Sequence, residues 1–97
     1  VRCRDILYLL SEGNYMVYNL DTGESIKIRG TMRDTEKEME NYHFVRIHKR
    51  ILVNMNYIRL ISTSDMQLQN GTLLPLAQRR VAEIRKHYLA FQMEEIP

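Results

Sequence analysis

The sequence predicts a mostly β domain with one short helix in the middle of the chain and one helix at its end. Two observations indicate strands: short apolar or alternating runs recur along residues 1–76, and turn residues such as Gly, Asn and Asp separate them. A third observation is a change to helical spacing of the apolar residues after Ala77. With 97 residues, 44% hydrophobic and 27% charged, we expect one domain over residues 1–97 with a modest core.

The first third of the chain is predicted to form three strands. Val1–Leu10 ends in a continuous apolar run, which is typical of a strand inside a sheet. The turn residues of Ser11–Asn14 lead into a second strand over Tyr15–Leu20. Asp21–Glu24 then predicts a hairpin that pairs this strand with Ser25–Arg29.

A helix of two or three turns is predicted next. Thr31 and Asp34 are both candidate N-caps, and the carboxylates that follow lie favourably near a helix start. Met32, Met39 and Tyr42 are the residues expected to face a core. The remaining acidic surface is typical of a solvated helix that covers a sheet.

The stretch Phe44–Asn54 is the most basic part of the chain and one of the most regularly alternating. In an extended backbone its apolar residues fall on one side and its cations on the other, and Lys49 interrupts the apolar row. One cationic side suits contact with nucleic-acid phosphates, although a solvated strand face has the same pattern. The apolar side comprises Val45, Ile47, Ile51 and Val53, and the cationic side comprises Arg46, His48 and Arg50.

The second half of the chain is predicted to form further strands over Tyr57–Ser62, Met66–Leu68 and Thr72–Leu76. Asn70 and Gly71 indicate a tight hairpin between the last two, because this dipeptide supplies two residues with positive φ. Pro75 cannot donate a ladder hydrogen bond, so the last strand is expected at a sheet edge.

A C-terminal amphipathic helix is predicted over about residues 78–95. Packing on its own core would bury the apolar stripe, and contact with a second subunit or a partner domain stays open. The stripe comprises Val81, Ile84, Tyr88 and Phe91, with Leu89 and Met93 beside it.

Charge is unevenly distributed although the formal net charge is only +2. Residues 5–41 hold 4 Lys and Arg against 8 Asp and Glu, whereas residues 42–80 hold 6 against 1. A polarised domain of this kind steers an anionic partner to its basic side.

Reactive groups do not converge in the sequence. His43, His48 and His87 share no metal-ligand spacing with one another or with Cys3, and no Gly-rich phosphate loop precedes a helix. We therefore expect no enzyme activity, no metal and no cofactor. The single cysteine cannot form an internal disulfide, which favours a reducing, cytoplasmic compartment, and no run is apolar enough to suggest a membrane span.

Three blocks of sequence together resemble LytTR-type DNA-binding domains over roughly residues 4–81. The central block matches that family's Phe-x-Arg-Ile-His and Leu-Val-Asn signature, and the flanking blocks resemble its first core strand and its closing hairpin with a basic turn. The matching residues are Asp5–Leu9 with Gly13, Asn14 and Tyr15; Phe44, Arg46, Ile47, His48, Leu52, Val53, Asn54 and Ile58; and Asn70, Gly71, Leu74–Leu76, Arg79 and Arg80.

The resemblance implies an elongated, multi-strand, β-sandwich-like fold whose loops enter successive major grooves of double-stranded DNA. By position, the resemblance implies base contacts at Asn14, Tyr15, Lys49 and Arg79. The basic side chains expected to contact phosphates are Arg46, His48, Arg50, Arg59 and Arg80. Two of the base contacts have structural alternatives, since Asn14 is also a turn residue and Tyr15 a half-buried strand aromatic. His48 and Asn54 are likewise open to purely structural roles, Asn54 by holding its own turn.

The resemblance also implies a biological setting: the output domain of a bacterial response regulator in a two-component system, acting in transcription. Such a domain follows an N-terminal regulatory domain and binds paired repeat sites as two copies, with bending of the duplex. Smooth bending costs on the order of 1–6 kcal/mol, which extra contacts must offset.

Three positions depart from the family pattern: Arg50 and Ala77 stand where serines are usual, and Leu10 stands in place of a glutamate. The extra arginine is expected to add phosphate affinity. The lost hydroxyls are expected to remove hydrogen bonds directed to the backbone.

Two other functions compete with DNA binding. In the first, the basic face docks an acidic protein partner and the last helix dimerises. In the second, a barrel-type domain binds single-stranded RNA, which would need stacking aromatics; Tyr15, Tyr18 and Tyr42 are the candidates.

Overall fold

Antiparallel hairpins dominate the fold, for which a computed structural model describes residues 2–94. The described residues form eight strands and two α-helices, with single 3-10 turns between some of them. The strands are β1 (Ile6–Glu12), β2 (Tyr15–Leu20), β3 (Ser25–Arg29), β4 (Phe44–His48), β5 (Ile51–Asn54), β6 (Ile58–Ile61), β7 (Asp65–Leu68) and β8 (Leu73–Pro75). The helices are α1 (Met32–Met39) and α2 (Val81–Glu94).

The strands pair in two antiparallel sheets. The larger has the order β3-β2-β1-β5-β4 and the smaller the order β6-β7-β8. Principal extents of 34 × 30 × 26 Å describe a molecule only slightly longer than it is wide, less elongated than the resemblance implies. The predicted mostly β, sandwich-like architecture with a short central helix and a C-terminal helix is confirmed, and Pro75 lies on an edge strand as expected.

The five-stranded sheet separates two hydrophobic cores. One core packs against α1, and the other fills the space between this sheet, the three-stranded sheet and α2. The first comprises Ile6, Leu9, Met16, Met32, Met39, Phe44 and Leu52. The second comprises Leu7, Val45, Ile47, Ile51, Val53, Met55, Ile58, Met66, Leu68, Leu74, Leu76, Ile84 and Phe91.

The most basic stretch of the chain is a hairpin rather than one extended strand. β4 ends at His48, Lys49 and Arg50 form the turn, and β5 begins at Ile51. The four predicted apolar residues still share one side because the register shifts by one residue between Arg46 and His48. A two-residue turn without this irregularity would move the residues of β5 to the other face. All four predicted apolar residues enter the same core, and Arg46 pairs in register with Leu52 on the opposite face.

The first strand begins later than predicted. Cys3–Asp5 is a 3-10 turn closed by the bond from the Asp5 amide to the Arg2 carbonyl, and β1 then extends to Glu12. Val1 lies outside the described residues. The Asn54 side-chain amide donates to the carbonyls of Cys3 (3.3 Å) and Ile6 (2.9 Å), so a distant side chain stabilises this bend. The Asn54 Oδ1 also accepts a hydrogen bond from the Asn56 amide at 3.0 Å, so Asn54 holds its own turn, the structural role that the sequence left open.

The hairpin between β7 and β8 differs from the predicted tight turn. Gly71 has φ 92°, whereas Asn70 is not among the residues with positive φ. The Gly71 amide donates to Leu68 O (2.9 Å), and the Leu68 amide donates across the loop to Thr72 O (2.8 Å). The longer loop needs only one left-handed residue, which glycine supplies without strain.

The N-cap of α1 is Thr31, whose hydroxyl oxygen accepts a hydrogen bond from the Asp34 amide at 3.2 Å. Met32, Thr35 and Met39 are buried, while Tyr42, which was expected to face a core, is exposed. It follows the helix in a 3-10 turn that ends with His43 in a left-handed conformation, so the helical spacing stops before Tyr42 reaches the core.

Replacement of Thr31 by alanine is expected to lower the free energy of unfolding by about 1 kcal/mol, because the Asp34 amide loses its partner. Urea denaturation of Thr31→Ala beside the exposed Thr63→Ala measures the effect. Equal losses in the two variants would contradict a capping role.

The C-terminal helix packs on its own core through the predicted stripe. Ile84 and Phe91 are buried, and Val81 and Tyr88 pack beside them. Gln78–Arg80 is a 3-10 turn, α2 follows from Val81, and the predicted last residue, 95, lies outside the described range. Neither described helix combines the length and the apolar composition that a membrane crossing requires.

Candidate nucleic-acid interface

The turn between β1 and β2 exposes two of the predicted base-contacting residues. Gly13 adopts φ 61° there, and Asn14 and Tyr15 are both exposed. The Asn14 carbonyl accepts a hydrogen bond from the Gly30 amide at 2.9 Å, which ties the turn to the end of β3. This hydrogen bond restrains the backbone of the turn, while the side chains of Asn14 and Tyr15 remain exposed to solvent.

The turn between β4 and β5 exposes Lys49 and Arg50. Arg46 supports this turn from within: its Nη2 donates to Lys49 O at 2.6 Å and its Nε to His48 O at 3.3 Å. Its Nη1 pairs with Glu36 Oε1 on α1 at 3.2 Å, and the Arg46 side chain is only 23% exposed. Much of the hydrogen-bonding capacity of Arg46 is therefore used inside the chain.

Hydrogen bonds join these two turns to each other. The Arg50 guanidinium donates from Nε (2.9 Å) and Nη2 (2.7 Å) to the Ser11 carbonyl, and the Ser11 amide donates to Arg50 O (2.8 Å). Strand register explains the contact, because the last residues of β1 lie opposite the first of β5, with Leu10 paired to Ile51.

The segment between β8 and α2 reaches the same end of the sheet. The Ala77 amide donates to Ile47 O at 2.9 Å, two residues before Lys49. Arg79 follows in the 3-10 turn and is exposed. We call residues 11–15, 49–50 and 77–79 together the turn end. Asn14, Tyr15 and Lys49 lie at one end of the five-stranded sheet, and the Ala77–Ile47 bond brings the segment that carries Arg79 to β4 near that end.

His48 has a defined hydrogen bond at the turn end. Its Nδ1 accepts from the Arg50 amide at 3.2 Å, which leaves Nε2 as the ring nitrogen that can donate a hydrogen bond.

Arg80 and Arg59 lie in different surroundings from the exposed turns. Arg80 lines a cleft of about 350 Å³ between α2 and β4, together with Glu83, His87 and Arg46. Its Nε is buried and has no hydrogen-bond partner among residues 2–94. Arg59 is exposed on β6, beside α2.

Two cations near the turn end were missed by the sequence analysis. Lys27 and Arg29 of β3 are exposed, and Arg29 lies opposite Tyr15 in the β2–β3 register. Lys27 Nζ pairs with Glu12 Oε1 at 3.0 Å and lies 5.2 Å from the centre of the Tyr15 ring. The register of the predicted β2–β3 hairpin could have indicated Arg29, because residues directly opposite each other, such as Tyr15 and Arg29, share a face of the sheet.

Other chemistry in the described chain lies away from the turn end. Burial raises the pKa of Tyr18, with Glu38 and Cys3 adding to the shift, and burial also raises the pKa of Tyr57, with Asp21 and Asp5 adding to it. Within residues 2–94 no group of three or more His, Cys, Asp or Glu side chains is arranged to hold a metal ion.

Comparison with known proteins identifies the family of the chain. The chain is 27% identical over 92 residues to the sensory transduction protein LytT of Bacillus subtilis (strain 168); the match covers 89% of this chain and 37% of that protein. A solved LytTr DNA-binding domain from Bacillus cereus superposes with a TM-score of 0.79 at 21% identity, covering 90% of this chain and 84% of that one. The LytTr DNA-binding domain family matches residues 1–89. The chain therefore belongs to the LytTr DNA-binding domain family.

Proposed function

We propose that this domain binds double-stranded DNA sequence-specifically through its turn end, as the output domain of a bacterial transcription regulator in the cytoplasm. The observation that supports the proposal most directly is the hydrogen-bonded assembly of three exposed segments at one end of the sheet. Separate loops held along one side of a framework are suited to entering successive major grooves.

The proposed base contacts are Asn14, Tyr15, Lys49 and Arg79. Lys and Arg pair with guanine O6 and N7, and Asn pairs with adenine N6 and N7. Tyr15 offers a hydroxyl and a ring face beside Lys27. Each of these side chains is exposed, so contact with a base edge needs no unfolding of the domain.

The proposed phosphate contacts are Arg46, His48, Arg50, Arg59 and Arg80, to which the position of Arg29 adds a sixth. They would set register and affinity without selecting sequence. For Arg46 the contact would have to share a guanidinium already bonded to the turn and to Glu36. For Arg50 it would fall to Nη1, since Nε and Nη2 hold Ser11.

We further propose that two copies bind paired repeat sites and bend the duplex. The chain spans 37% of the length of LytT, which leaves room in a protein of that kind for an N-terminal regulatory domain that controls the output domain. A duplex carrying one repeat should then bind one copy, and a duplex carrying two repeats should bind two.

The proposal is tested by selecting duplexes from a random pool and titrating the selected and a scrambled duplex at several salt concentrations. We expect a preference for the selected duplex, and a logarithm of affinity that falls linearly with the logarithm of the salt concentration. A folded protein that shows no such preference would contradict sequence-specific binding. Binding to an acidic protein instead would support the interaction-domain alternative.

Arg29→Ala is expected to weaken binding to selected and scrambled duplexes alike. Removal of one phosphate contact should reduce the slope of log affinity against log salt by about 0.9. Arg4→Ala is the matched control, because Arg4 is exposed before β1 starts, at the opposite end from the turn. Loss of sequence preference in Arg29→Ala would show that Arg29 contacts a base instead.

A further inference from the structure

We propose that Arg50 is a positioning residue that fixes the β1–β2 turn against the β4–β5 turn, and so sets the spacing between the groups that contact bases. This inference rests on the proposed function, because spacing matters only if both turns touch the same duplex. It differs from the role expected from sequence, which was added phosphate affinity.

The geometry favours positioning because two guanidinium nitrogens converge on one backbone oxygen. Nε and Nη2 lie 2.9 and 2.7 Å from Ser11 O, and the Ser11 amide returns a bond of 2.8 Å to Arg50 O. The planar, charged fork of arginine makes such paired bonds directional as well as strong. Ser11 and Arg50 are 39 residues apart, so the contact restrains parts of the chain that are distant in sequence.

The contact lies next to both sets of base-contacting residues. Ser11 precedes the Gly13-Asn14 turn by two residues, and Arg50 follows Lys49 directly. The backbone of Lys49 is also restrained, because Arg46 Nη2 donates a hydrogen bond to the Lys49 carbonyl at 2.6 Å. Arg46 is oriented by Glu36 of α1. A continuous series of bonds therefore runs from α1 through one turn to the other.

A serine is usual at position 50 in the family, and its hydroxyl would bond to the backbone; Arg50 makes backbone hydrogen bonds of its own. The loss of a hydroxyl at position 50 was expected to remove hydrogen bonds to the backbone. Instead, the longer side chain makes two bonds to a backbone carbonyl on the neighbouring turn. A lysine would keep the charge but lose the planar pair of donors.

The test compares Arg50→Lys and Arg50→Ala with wild type on the selected and scrambled duplexes. Positioning predicts that the preference of both variants for the selected duplex falls about 5- to 150-fold, the range that one misplaced base contact would cost. It also predicts that Arg50→Lys keeps the wild-type salt slope, since the charge remains. Arg4→Ala again serves as control. Wild-type preference in Arg50→Lys would overturn the proposal, because charge alone would then suffice.

A second measurement needs no DNA. Backbone ¹⁵N relaxation should show faster local motion at residues 12–15 in Arg50→Ala than in wild type, although the substitution lies far away in sequence, and the same spectra report whether the variant is folded. Unchanged motion in that turn would overturn the positioning role. If wild type selects no duplex, the proposed function fails, while this measurement still decides whether Arg50 restrains the turn.

Discussion

Replacement of both Lys49 and Arg79 by alanine is expected to lower the preference for a selected duplex over a scrambled one by about 2–6 kcal/mol. Each side chain is expected to contribute about 1–3 kcal/mol of discrimination through a base edge. The two lie on separate segments of the chain, which the Ala77 to Ile47 backbone bond connects. Because Lys49 and Arg79 share no hydrogen-bond partner among the described residues, their effects should be nearly additive.

Competition titration of the two single variants and the double variant measures this effect. The matched control is Arg4→Ala with Lys86→Ala, which removes two exposed cations from elsewhere on the surface. The control should weaken binding to both duplexes slightly and leave their ratio unchanged. If the Lys49 and Arg79 variants weaken both duplexes equally, these residues contact phosphates and the division between base and phosphate contacts is wrong.

Asn54→Ala is expected to lower the free energy of unfolding by about 2–5 kcal/mol. The side chain is 1% exposed and donates to Cys3 O and Ile6 O. Its Oδ1 accepts from the amide and the side chain of Asn56 at 3.0 and 2.9 Å. Alanine would leave several of these groups unpaired in a buried site, at about 1–3 kcal/mol each where no water replaces the bond.

Denaturant unfolding of Asn54→Ala beside Asn41→Ala tests this prediction. Asn41 is exposed in the 3-10 turn after α1, so its replacement should change stability by less than about 0.5 kcal/mol. A loss below 1 kcal/mol in Asn54→Ala would mean that water or rearrangement satisfies the carbonyls, and that the bend before β1 does not depend on this amide.

Much of the fold was predictable because apolar alternation and turn residues are local signals. The β2–β3 hairpin and the apolar stripe of the last helix follow directly from them. The Lys49–Arg50 turn was missed for a physical reason. A one-residue register shift between Arg46 and His48 offsets the change of face that a two-residue turn causes. Val45, Ile47, Ile51 and Val53 therefore share one side in the hairpin, as they would in a single strand.

The candidate site was only partly predictable because the partners of charged side chains are set by tertiary structure. Arg46 and Arg50 look alike in sequence as exposed cations on one strand face. In the fold, Arg46 holds its own turn and Glu36, whereas Arg50 holds the carbonyl of Ser11. No local pattern distinguishes these roles, since the acceptors are a helix carboxylate and a backbone oxygen 39 residues away.

The complete burial of β5 couples the two cores of the molecule. Leu52 belongs to the core under α1, while Ile51 and Val53 belong to the core under α2. Neither half can open without exposing one face of the same four-residue strand. The domain should therefore melt in a single cooperative transition, and the amides of β5 should be among the slowest to exchange with solvent deuterium.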